Sequence, residues 1–331
     1  MGKFEKELQL SYDDVLINPT YSTIRSRFSN DLLPYYENNC LPIVNAPMDS
    51  ICSEKFINEA KDKLYVVFSH RFQTIEEQIK HIELGANGGV IGLTDSDDIV
   101  DRLIRAGAKH ILLDVANGGN IAVIEKLKEL QRYRKIVKLW AGNITESTYW
   151  NIMRLCDYVR CGIGNGGACS TARQTSIGCG IISTILDCRE IYDEWNTKNK
   201  PCAKIVADGG IKNNGDICKA LVAGAHLVMV GKLFAGTYES AAPLHDINFK
   251  KYRGMASEEV NTITNKTKYS IEGVSGLIPV TGYAKDVLEQ MESNLRSSMS
   301  YVDARTLKEY YNNGKFIKVT QSTYQTAQPQ I

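Results

Sequence analysis

The stretch His110–Asn117, HILLDVAN, is the part of this 331-residue chain that decides the fold class. Its centre is apolar without alternation, which is typical of a strand buried on both faces of a sheet. A helical apolar face follows at Ile121, Ile124, Leu127 and Leu130. The pattern therefore predicts a buried strand followed by an amphipathic helix that covers it.

The same unit recurs along the chain. Apolar, β-branched runs lie at Leu41–Met48, Leu64–His70, Gly88–Thr94, His110–Asn117, Ile136–Asn143, Asp157–Gly164, Lys204–Ile211 and His226–Leu233. Alternating strands and helices predict a parallel sheet, and eight units predict an α/β protein with a closed (β/α)8 TIM barrel. An open doubly wound sheet is the alternative, but the first unit lacks the Gly-x-Gly-x-x-Gly turn of that fold.

The remaining segments predict additions to a single barrel domain over residues 1–331. Residues 244–279 are polar and irregular, so we expect a mobile flap after the eighth strand. In the C-terminal extension, 280–331, we expect helices at Ala284–Ser298 and Asp303–Asn312, a strand at Phe316–Val319 and a frayed end at Gln321–Ile331. The first two strands start so close together that no regulatory domain is inserted between them.

Composition excludes several classes of function. The 39 basic and 38 acidic residues give a net charge of +1, which argues against a nucleic-acid or membrane-surface partner. No apolar run reaches the roughly 20 residues that span a bilayer. The nine cysteines are odd in number and form no Cys-x-x-Cys, so we expect free thiols, no zinc site and a cytoplasmic location.

The glycine loop that ends at Cys169 carries the clearest chemical signal. Residues 160–171 read RCGIGNGGACST, so a thiol follows a strand and a glycine-rich turn, with the hydroxyl of Thr171 two residues on. Such a loop presents a sulfur nucleophile to a bound substrate. The alternatives are an incidental thiol at Cys169 and a helix-capping hydroxyl at Thr171.

Two further loops predict a phosphate site. Asp208-Gly209-Gly210 ends the seventh barrel strand, and Gly231-Lys232 ends the eighth. Backbone N–H groups of these two loops often bind phosphate in barrels, and Lys232 could add a charge-assisted bond. The alternative for the glycines is that they only make tight turns. Asp208 could bind a ribose diol, or it could only stabilise its own loop.

Other polar residues also collect at the strand ends, where barrel enzymes build their sites. Each has a plain alternative: Asp49 could cap a helix, Arg71 could be solvated and Glu272 could lie on the surface. The polar residues at these ends include Asp49, Arg71, Asp114, Asn117 and Asn143. Glu272 could serve as a catalytic acid or base only if the flap folds over the site.

Together these motifs resemble the IMP dehydrogenase/GMP reductase family over nearly the whole chain. The likeness runs from Leu10–Leu16 to Phe316–Thr320. It includes the Cys169 loop, which is highly specific, and the segments Asn45–Asp49, Leu113–Gly118, Ala141–Asn143, Ala207–Ile211 and Tyr252–Ser257. At four positions the chain departs from the family pattern. Gly167 replaces a phosphate-binding serine, and Lys232 stands where glycine or serine is common. Tyr269 stands where a reductase can have arginine, and Asn165 replaces a frequent proline.

The resemblance implies roles for individual residues. Catalysis falls to Cys169, Thr171 and Glu272. A purine nucleoside monophosphate would be bound by Asp49, Asp208, Gly209, Gly210, Gly231, Lys232, Tyr252, Gly254, Met255, Ala256 and Ser257. A nicotinamide cofactor would lie against Arg71, Asp114, Ala116, Asn117 and Asn143. Family likeness also suggests a homotetramer and a monovalent cation such as K⁺ at the carbonyls of Gly162, Gly164 and Cys169.

The likeness is greatest to the reductase branch, because a regulatory insert and an Arg-Tyr pair in the flap are both absent. This implies NADPH-dependent conversion of GMP to IMP and ammonia through a thioimidate between Cys169 and purine C2. Alternatives are an IMP dehydrogenase with a shortened flap that uses NAD, a catalytically idle nucleotide-binding regulator, and another phosphate-binding barrel such as a flavin enzyme.

Overall fold

A computed structural model describes residues 8–71, 74–254, 257 and 273–327. A short strand, β1 (Val15–Ile17), precedes the barrel. The barrel strands are β2 (Leu41–Asn45), β3 (Leu64–Val66), β4 (Gly88–Ile91), β5 (His110–Asp114), β6 (Lys138–Ile144), β7 (Tyr158–Cys161), β8 (Lys204–Asp208) and β9 (Leu227–Val230). All eight match predicted runs.

The eight strands form one parallel sheet that curls into a barrel. Their order is β3-β2-β9-β8-β7-β6-β5-β4. Strands that follow each other in sequence are therefore neighbours in the sheet, and the last strand, β9, pairs with the first, β2. The remaining seam closes where Phe68 bridges Gly88 in parallel, and the Ser69 N–H donates to the Gly88 carbonyl over 2.9 Å. The predicted (β/α)8 barrel is confirmed.

Helices cover the outside of the barrel. They are α1 (Glu54–Ala60), α2 (Ile75–Glu83), α3 (Asp97–Arg105), α4 (Ile121–Leu130), α5 (Glu146–Ile152), α6 (Thr171–Thr175), α7 (Ile181–Thr197), α8 (Asn214–Val222) and α9 (Lys232–Ala235). Side-chain caps at Ser53, Thr74 and Asn120 begin α1, α2 and α4. One predicted position was wrong: Ile121 is exposed, and Val123 is buried instead, because the helix begins only at Ile121.

The region predicted to be an irregular flap contains regular structure at both ends. Strands β10 (Phe249–Arg253) and β11 (Ser275–Pro279) pair antiparallel, with Lys251 opposite Leu277. The prediction of irregular backbone was therefore wrong for these two strands. The polar composition of the segment between them had indicated irregular structure for the whole region. Residues 258–272 lie outside the described part of the chain.

The C-terminal extension packs along the barrel. Helices α10 (Ala284–Tyr301) and α11 (Leu307–Asn313) match the predicted helices approximately, and β12 (Phe316–Lys318) pairs antiparallel with β1. The predicted frayed end was wrong for Gln321–Thr326, which form a helix, α12. Thr320 caps this helix, and the Tyr324 ring lies 5.4 Å from the Lys219 ammonium.

Burial along the strands positions the site. The central residues of β5 and β8 are fully buried, whereas Asp114 and Asp208 at their ends are only partly covered. Apolar side chains therefore fill the barrel, and polar side chains gather at its C-terminal mouth. Among the described residues, no helix is both long enough and apolar enough to cross a membrane.

Candidate active site

The loop after β7 brings Cys169 to the surface of the barrel mouth. Gly162 begins the loop with φ +126°, and a Cβ there would lie 2.3 Å from the Asp208 carbonyl oxygen. Only glycine fits this position, because it tolerates both the positive φ and the contact with the end of β8. The loop then reaches Cys169, whose side chain is exposed.

The Cys169 thiol has a hydroxyl partner. Its Sγ donates to Thr171 Oγ1 over 3.3 Å, at the first residue of α6. Both residues line a cavity of about 200 Å³ together with Asn143, Asp208 and Gly209. The predicted nucleophile, its predicted proton relay and two predicted substrate residues therefore meet in one cavity. A thiol that shares a cavity with a hydroxyl and a carboxylate can add to a bound electrophile while a proton is transferred nearby.

The β10–β11 hairpin reaches over the same loop. Cys169 and Gly273 form an antiparallel bridge, and the Val274 N–H donates to the Ala168 carbonyl over 3.0 Å. The Gly254 N–H in turn donates to Val274. A Cβ at Gly254 would lie 2.6 Å from the Ala168 carbonyl oxygen, so glycine permits this close approach. The nucleophile loop is thus paired with the hairpin.

A buried arginine organises the polar residues of the mouth. Arg160 on β7 donates through Nη2 to Asp114 Oδ1 over 2.6 Å and to Asn143 Oδ1 over 2.5 Å. Its Nε lies 3.7 Å from Asp208 Oδ2. The guanidinium therefore connects the ends of β5, β6 and β8 from inside the barrel. Arginine suits this task because its planar fork carries several donors.

Sequence reasoning missed Arg160, although a signal was present. The β7 residues Tyr158–Cys161 are buried, and Arg160 is the charged member of that run. A charged side chain in an otherwise buried strand needs partners, because an unpaired buried charge is costly. The polar ends of the neighbouring strands supply those partners.

Opposing effects act on the pKa of the Asp208 carboxyl group. Burial raises its pKa above the usual value, while Arg160 and the amide of Asn143 oppose that shift. Asn143 Nδ2 donates to Asp208 Oδ2 over 2.7 Å and to the Gly162 carbonyl over 2.8 Å. A monovalent cation bound to the carbonyl oxygens of Gly162, Gly164 and Cys169 would therefore share the Gly162 oxygen with the Asn143 amide. The cation site at Gly162, Gly164 and Cys169 stays a prediction.

The two glycine loops form a region suited to an anion. Within the described part of the chain, no backbone carbonyl accepts a hydrogen bond from the N–H of Gly209 or Gly210. The Lys232 side chain passes over Gly167, since its Cδ lies 3.9 Å from where a Cβ at that residue would be. Tyr252 completes the region, because its hydroxyl lies 3.3 Å from the corresponding Cβ position of Gly231. Such N–H groups and a nearby ammonium can bind a phosphate.

The predicted cofactor residues fall into two groups. Asn143 and Ala116 line the Cys169 cavity, and Arg71 Nε lies 3.8 Å from Asp114 Oδ2 beside it. Asn117 instead accepts from the Gly119 N–H over 3.0 Å, so its side chain shapes a turn. The buried Arg71 Nε has no hydrogen-bond partner among the described residues, which fits a site for an anionic or amide-bearing cofactor group.

Asp49 lies in a second cavity, outside the Cys169 cavity. That cavity has a volume of about 540 Å³, and Tyr252 and Arg253 also line it. Asp49 Oδ2 accepts from Arg253 Nε over 2.9 Å, which ties the β2–α1 loop to β10. Asp49 and Cys169 therefore line different cavities, and Tyr252 belongs both to the cavity of Asp49 and to the region beside Gly231.

Three predicted residues cannot be located. Glu272, Met255 and Ala256 lie outside the described residues. Their neighbour Ser257 is buried, and its hydroxyl has no hydrogen-bond partner in the described ranges. The predicted roles of Glu272 in proton transfer and of Met255 and Ala256 at the base therefore stay predictions.

Comparisons with known proteins identify the family of this chain. The family profile described as IMP dehydrogenase / GMP reductase domain matches residues 9–330. The chain is 32% identical over 316 residues to a GMP reductase of Lactobacillus acidophilus, covering 89% of this chain and 91% of that protein. It is 27% identical to a GMP reductase of Onchocerca volvulus, covering 98% and 94% of the two chains.

Dehydrogenases are similar as well, and one of Helicobacter pylori is 29% identical over 344 residues, which cover 96% of this chain and 66% of that protein. An inosine-5'-monophosphate dehydrogenase of Borreliella burgdorferi is 33% identical over 253 residues, which cover 71% of this chain and 61% of that protein. The family match spans nearly all of the chain, including the Cys169 loop, both glycine loops and the hairpin. The chain belongs to the IMP dehydrogenase / GMP reductase family.

Proposed function

We propose that this protein is a GMP reductase that converts GMP and NADPH to IMP, ammonia and NADP⁺. The observation that carries the proposal is the exposed Cys169 thiol, 3.3 Å from the Thr171 hydroxyl, in one cavity with Asp208. A protein named GMP reductase is matched over 91% of its own length, whereas the Helicobacter pylori dehydrogenase is matched over 66%, which supports the reductase over the dehydrogenase. The family as a whole consists of oxidoreductases.

The nucleotide would bind through its ribose and phosphate. The Asp208 carboxylate accepts hydrogen bonds, so it suits the ribose hydroxyls. The backbone N–H groups of Gly209 and Gly210 and the ammonium of Lys232 suit the phosphate. Lys232 takes the place of the serine that Gly167 lacks, because its side chain lies over that glycine. The Tyr252 hydroxyl, beside Gly231, lies within the same region.

The chemistry would begin at purine C2. The Cys169 sulfur adds to C2, and the C2 amino group leaves as ammonia once a proton reaches it, because an amide anion is too poor a leaving group. Thr171, within hydrogen-bond reach of the sulfur, would relay that proton, and Glu272 would supply or accept it. The product of this step is a thioimidate between Cys169 and C2.

A bound NADPH would supply the hydride that C2 needs for release of sulfur and formation of IMP. Arg71, Asp114, Ala116 and Asn143 would hold the cofactor against the Cys169 cavity. The buried Arg160 keeps Asp114 and Asn143 in place. The cationic Arg71 suits the additional phosphate of NADPH, which favours this cofactor over NADH.

A second candidate is IMP dehydrogenase, which would oxidise IMP with NAD. The 33% identity to the Borreliella burgdorferi dehydrogenase over 71% of this chain favours it. The two reactions share a covalent intermediate at the same cysteine. Measuring NADPH consumption with GMP, and NADH production from NAD with IMP, distinguishes them. Turnover only in the second assay would reject the reductase.

The covalent step gives the first prediction. The Cys169→Ser variant should show no measurable turnover but bind GMP within about tenfold of the unmodified protein, a change of ~1.4 kcal/mol, because the phosphate and ribose contacts remain. Turnover is measured by NADPH absorbance and GMP affinity by equilibrium dialysis.

The matched control is Cys40→Ser, since Cys40 is another partly accessible thiol and contacts the Asn38 carbonyl far from the barrel mouth. Turnover by Cys169→Ser near the level of this control would reject covalent catalysis. Loss of GMP binding together with loss of turnover would indicate that the serine disrupts the loop itself.

A further inference from the structure

The nucleophile loop, residues 162–169, needs anchors between its two ends. Four of its eight residues are glycine, so its backbone has many accessible conformations. The loop is fixed at its start, where the Gly162 N–H donates to the Ile144 carbonyl over 2.9 Å, and at its end, where Cys169 bridges Gly273. The position of the thiol therefore also depends on the contacts made by the residues between these two points.

A second cysteine contacts the middle of this loop. Cys179 lies just before α7, and its Sγ accepts from the Ile163 N–H over 3.4 Å. The same Sγ lies 3.4 Å from Asn165 Oδ1 and 3.7 Å from the Ile163 carbonyl oxygen, and its one proton can serve either acceptor. In return, Asn165 Nδ2 donates to the Cys179 carbonyl over 2.8 Å. Asn165 and Cys179 are thus joined by hydrogen bonds in both directions.

Cys179 is suited to this task because it remains a neutral thiol. It is half-buried, and burial raises its pKa above the usual value, so it keeps its proton at neutral pH. The thiolate is the nucleophilic form of cysteine, whereas the neutral thiol is a weak hydrogen-bond donor and acceptor. The chemistry of Cys179 therefore fits hydrogen bonding to the loop rather than attack on a substrate.

Asn165 also packs against the end of β8, where the proposed phosphate site begins. A Cβ at Gly209 would lie 3.0 Å from Asn165 Cβ and 3.0 Å from the Gly166 nitrogen, so the two loops are in direct contact. Gly209 has φ +98°, which together with this contact requires glycine. A displacement of Asn165 would therefore change the position of the Cys169 thiol relative to a phosphate bound at Gly209.

We propose that Asn165 and Cys179 are positioning residues, which together hold the Cys169 thiol where it can attack the base of a bound nucleotide. Both act through the backbone of the nucleophile loop. The inference rests on the proposed function, because it takes Cys169 as the nucleophile. Loss of either side chain should slow attack on a bound nucleotide, which depends on geometry, and should leave the reactivity of the exposed thiol toward a small reagent unchanged.

The test compares two reagents that label the same thiol of the full-length protein. 6-Chloropurine riboside 5'-monophosphate must bind before the Cys169 sulfur bonds to the purine, with loss of chloride and of the thiol proton. Iodoacetamide reacts directly from solution, with loss of iodide and the same proton. Peptide mass spectrometry measures the rate at which each reagent labels Cys169, with the nucleotide at saturating concentration so that its rate reports attack and not binding.

Asn165→Ala should slow labelling by the nucleotide at least about tenfold and change labelling by iodoacetamide less than about twofold. The concentration of nucleotide that gives half the maximal rate should stay within about threefold of the parent value, because alanine keeps the Cβ that packs against Gly209. Cys179→Ala should slow labelling by the nucleotide less, since the carbonyl that accepts from Asn165 remains. Cys179→Ser, whose hydroxyl keeps a donor and an acceptor, should be labelled faster than Cys179→Ala.

Asn313→Ala and Cys202→Ala are the matched controls. Asn313 Nδ2 also donates to backbone carbonyls, those of Val302 and Asp303 in the C-terminal extension. Cys202 is another half-buried thiol, and its Sγ lies 3.0 Å from the Tyr149 hydroxyl. Both controls should be labelled by the nucleotide at the parent rate.

Two results would overturn the proposal: labelling of Asn165→Ala by the nucleotide at the rate of Asn313→Ala, or equal slowing with the two reagents, which would mean a change in exposure of the thiol. If Asn165→Ala does not fold, the comparison of Cys179→Ala with Cys179→Ser and Cys202→Ala decides in the same way. Absence of both GMP turnover and nucleotide labelling in the parent protein would reject the proposed function itself, and the positioning role with it.

Discussion

Arg160 is the residue on which the polar side chains of the barrel mouth depend. Its guanidinium contacts Asp114, Asn143 and, at longer range, Asp208, and the side chain is 5% exposed. The two carboxylates are each less than one-fifth exposed. A guanidinium in this position balances two partly buried negative charges, so its loss affects folding as well as the site.

Replacing Arg160 should destabilise the protein strongly. Arg160→Met keeps most of the side-chain volume but leaves Asp114 and Asp208 without their cation. We expect the free energy of unfolding to fall by about 3 kcal/mol, the range seen when one partner of a buried pair is removed. Urea denaturation monitored by circular dichroism measures this change.

The control is Arg305→Met, since Arg305 forms its ion pairs with Asp31 and Asp303 near the surface. Surface pairs contribute about 1 kcal/mol or less, so this variant should remain close to the parent protein. If Arg160→Met cost no more than this control, the role assigned to the guanidinium would be wrong.

Single residues of the site differed in how well the sequence predicted them. Cys169 and Thr171 were predictable because the glycine spacing around them is specific, and the structure places both in one cavity. Arg160 was not predicted, because its function depends on side chains that arrive from three other strands. Pairing across a barrel is not visible in local sequence, although a charge within a buried strand gives a hint of it.

The hairpin formed by β10 and β11 is the element that connects the two cavities. It approaches the nucleophile loop so closely that Gly254 has no room for a side chain, whereas Gly276 on the partner strand has nothing within 4 Å of its Cβ position. A side chain would therefore clash at Gly254 but not at Gly276, and alanine substitutions at these two glycines provide a matched pair of variants.

Gly254→Ala should impair catalysis more than stability. The added Cβ would press on the Ala168 carbonyl and displace the hairpin from the loop that holds Cys169. Small misplacements of reacting groups cost much of the rate, so we expect kcat/KM for GMP to fall at least about tenfold. Steady-state kinetics and thermal unfolding of the same preparations measure the two effects.

The companion variant is Gly276→Ala, which meets open space and should retain the parent kcat/KM. Equal activity of the two variants would show that contact between hairpin and loop does not matter for turnover. A shared large drop in melting temperature would instead indicate general damage to the hairpin.

At the scale of elements, buried strands were easier to predict than polar ones. The barrel strands are continuous apolar runs, and all eight were identified correctly. Strands β10 and β11 were missed because β10 carries Lys250, Lys251 and Arg253, β11 contains Gly276 and Pro279, and the two are stabilised by pairing with each other. The helix at Gln321–Thr326 was missed because its tertiary contacts, such as Tyr324 with Lys219, compensate for a polar sequence.

Several histidines are buried in the folded protein, and burial favours their neutral form. Burial lowers the pKa of both His70 and His110 to about 4, and it also lowers the pKa of His226 well below its usual value. In the unfolded chain these side chains titrate near pH 6.5. Between pH 4 and 6.5 the unfolded chain therefore binds more protons than the folded protein through these groups, so they reduce stability as the pH falls.

Acid should thus weaken the fold through identifiable residues. Each such histidine contributes up to about 3 kcal/mol of lost stability between pH 6.5 and pH 4. Burial raises the pKa of Asp208, Asp216 and Glu77, which offsets part of this loss. We expect His110→Gln to lose less stability over that range than the parent protein, measured by urea denaturation at several pH values.

The corresponding control is His245→Gln, since His245 is exposed at the surface. Its pH dependence should match that of the parent protein. His110 Nδ1 accepts a hydrogen bond from Trp140 over 3.0 Å, and glutamine can retain an acceptor there. An unchanged pH dependence in His110→Gln would mean that this histidine is not a source of acid sensitivity.

The pairing of β1 with β12 also affects the order in which the molecule can be completed during biosynthesis. Val15–Ile17 emerges from the ribosome long before Phe316–Lys318, its partner in the two-stranded sheet. Until then the edge of the early strand is unpaired and open to contact with other nascent chains. Ribosome-bound chains halted before residue 316 would therefore be a natural target for chaperones that cover exposed strands.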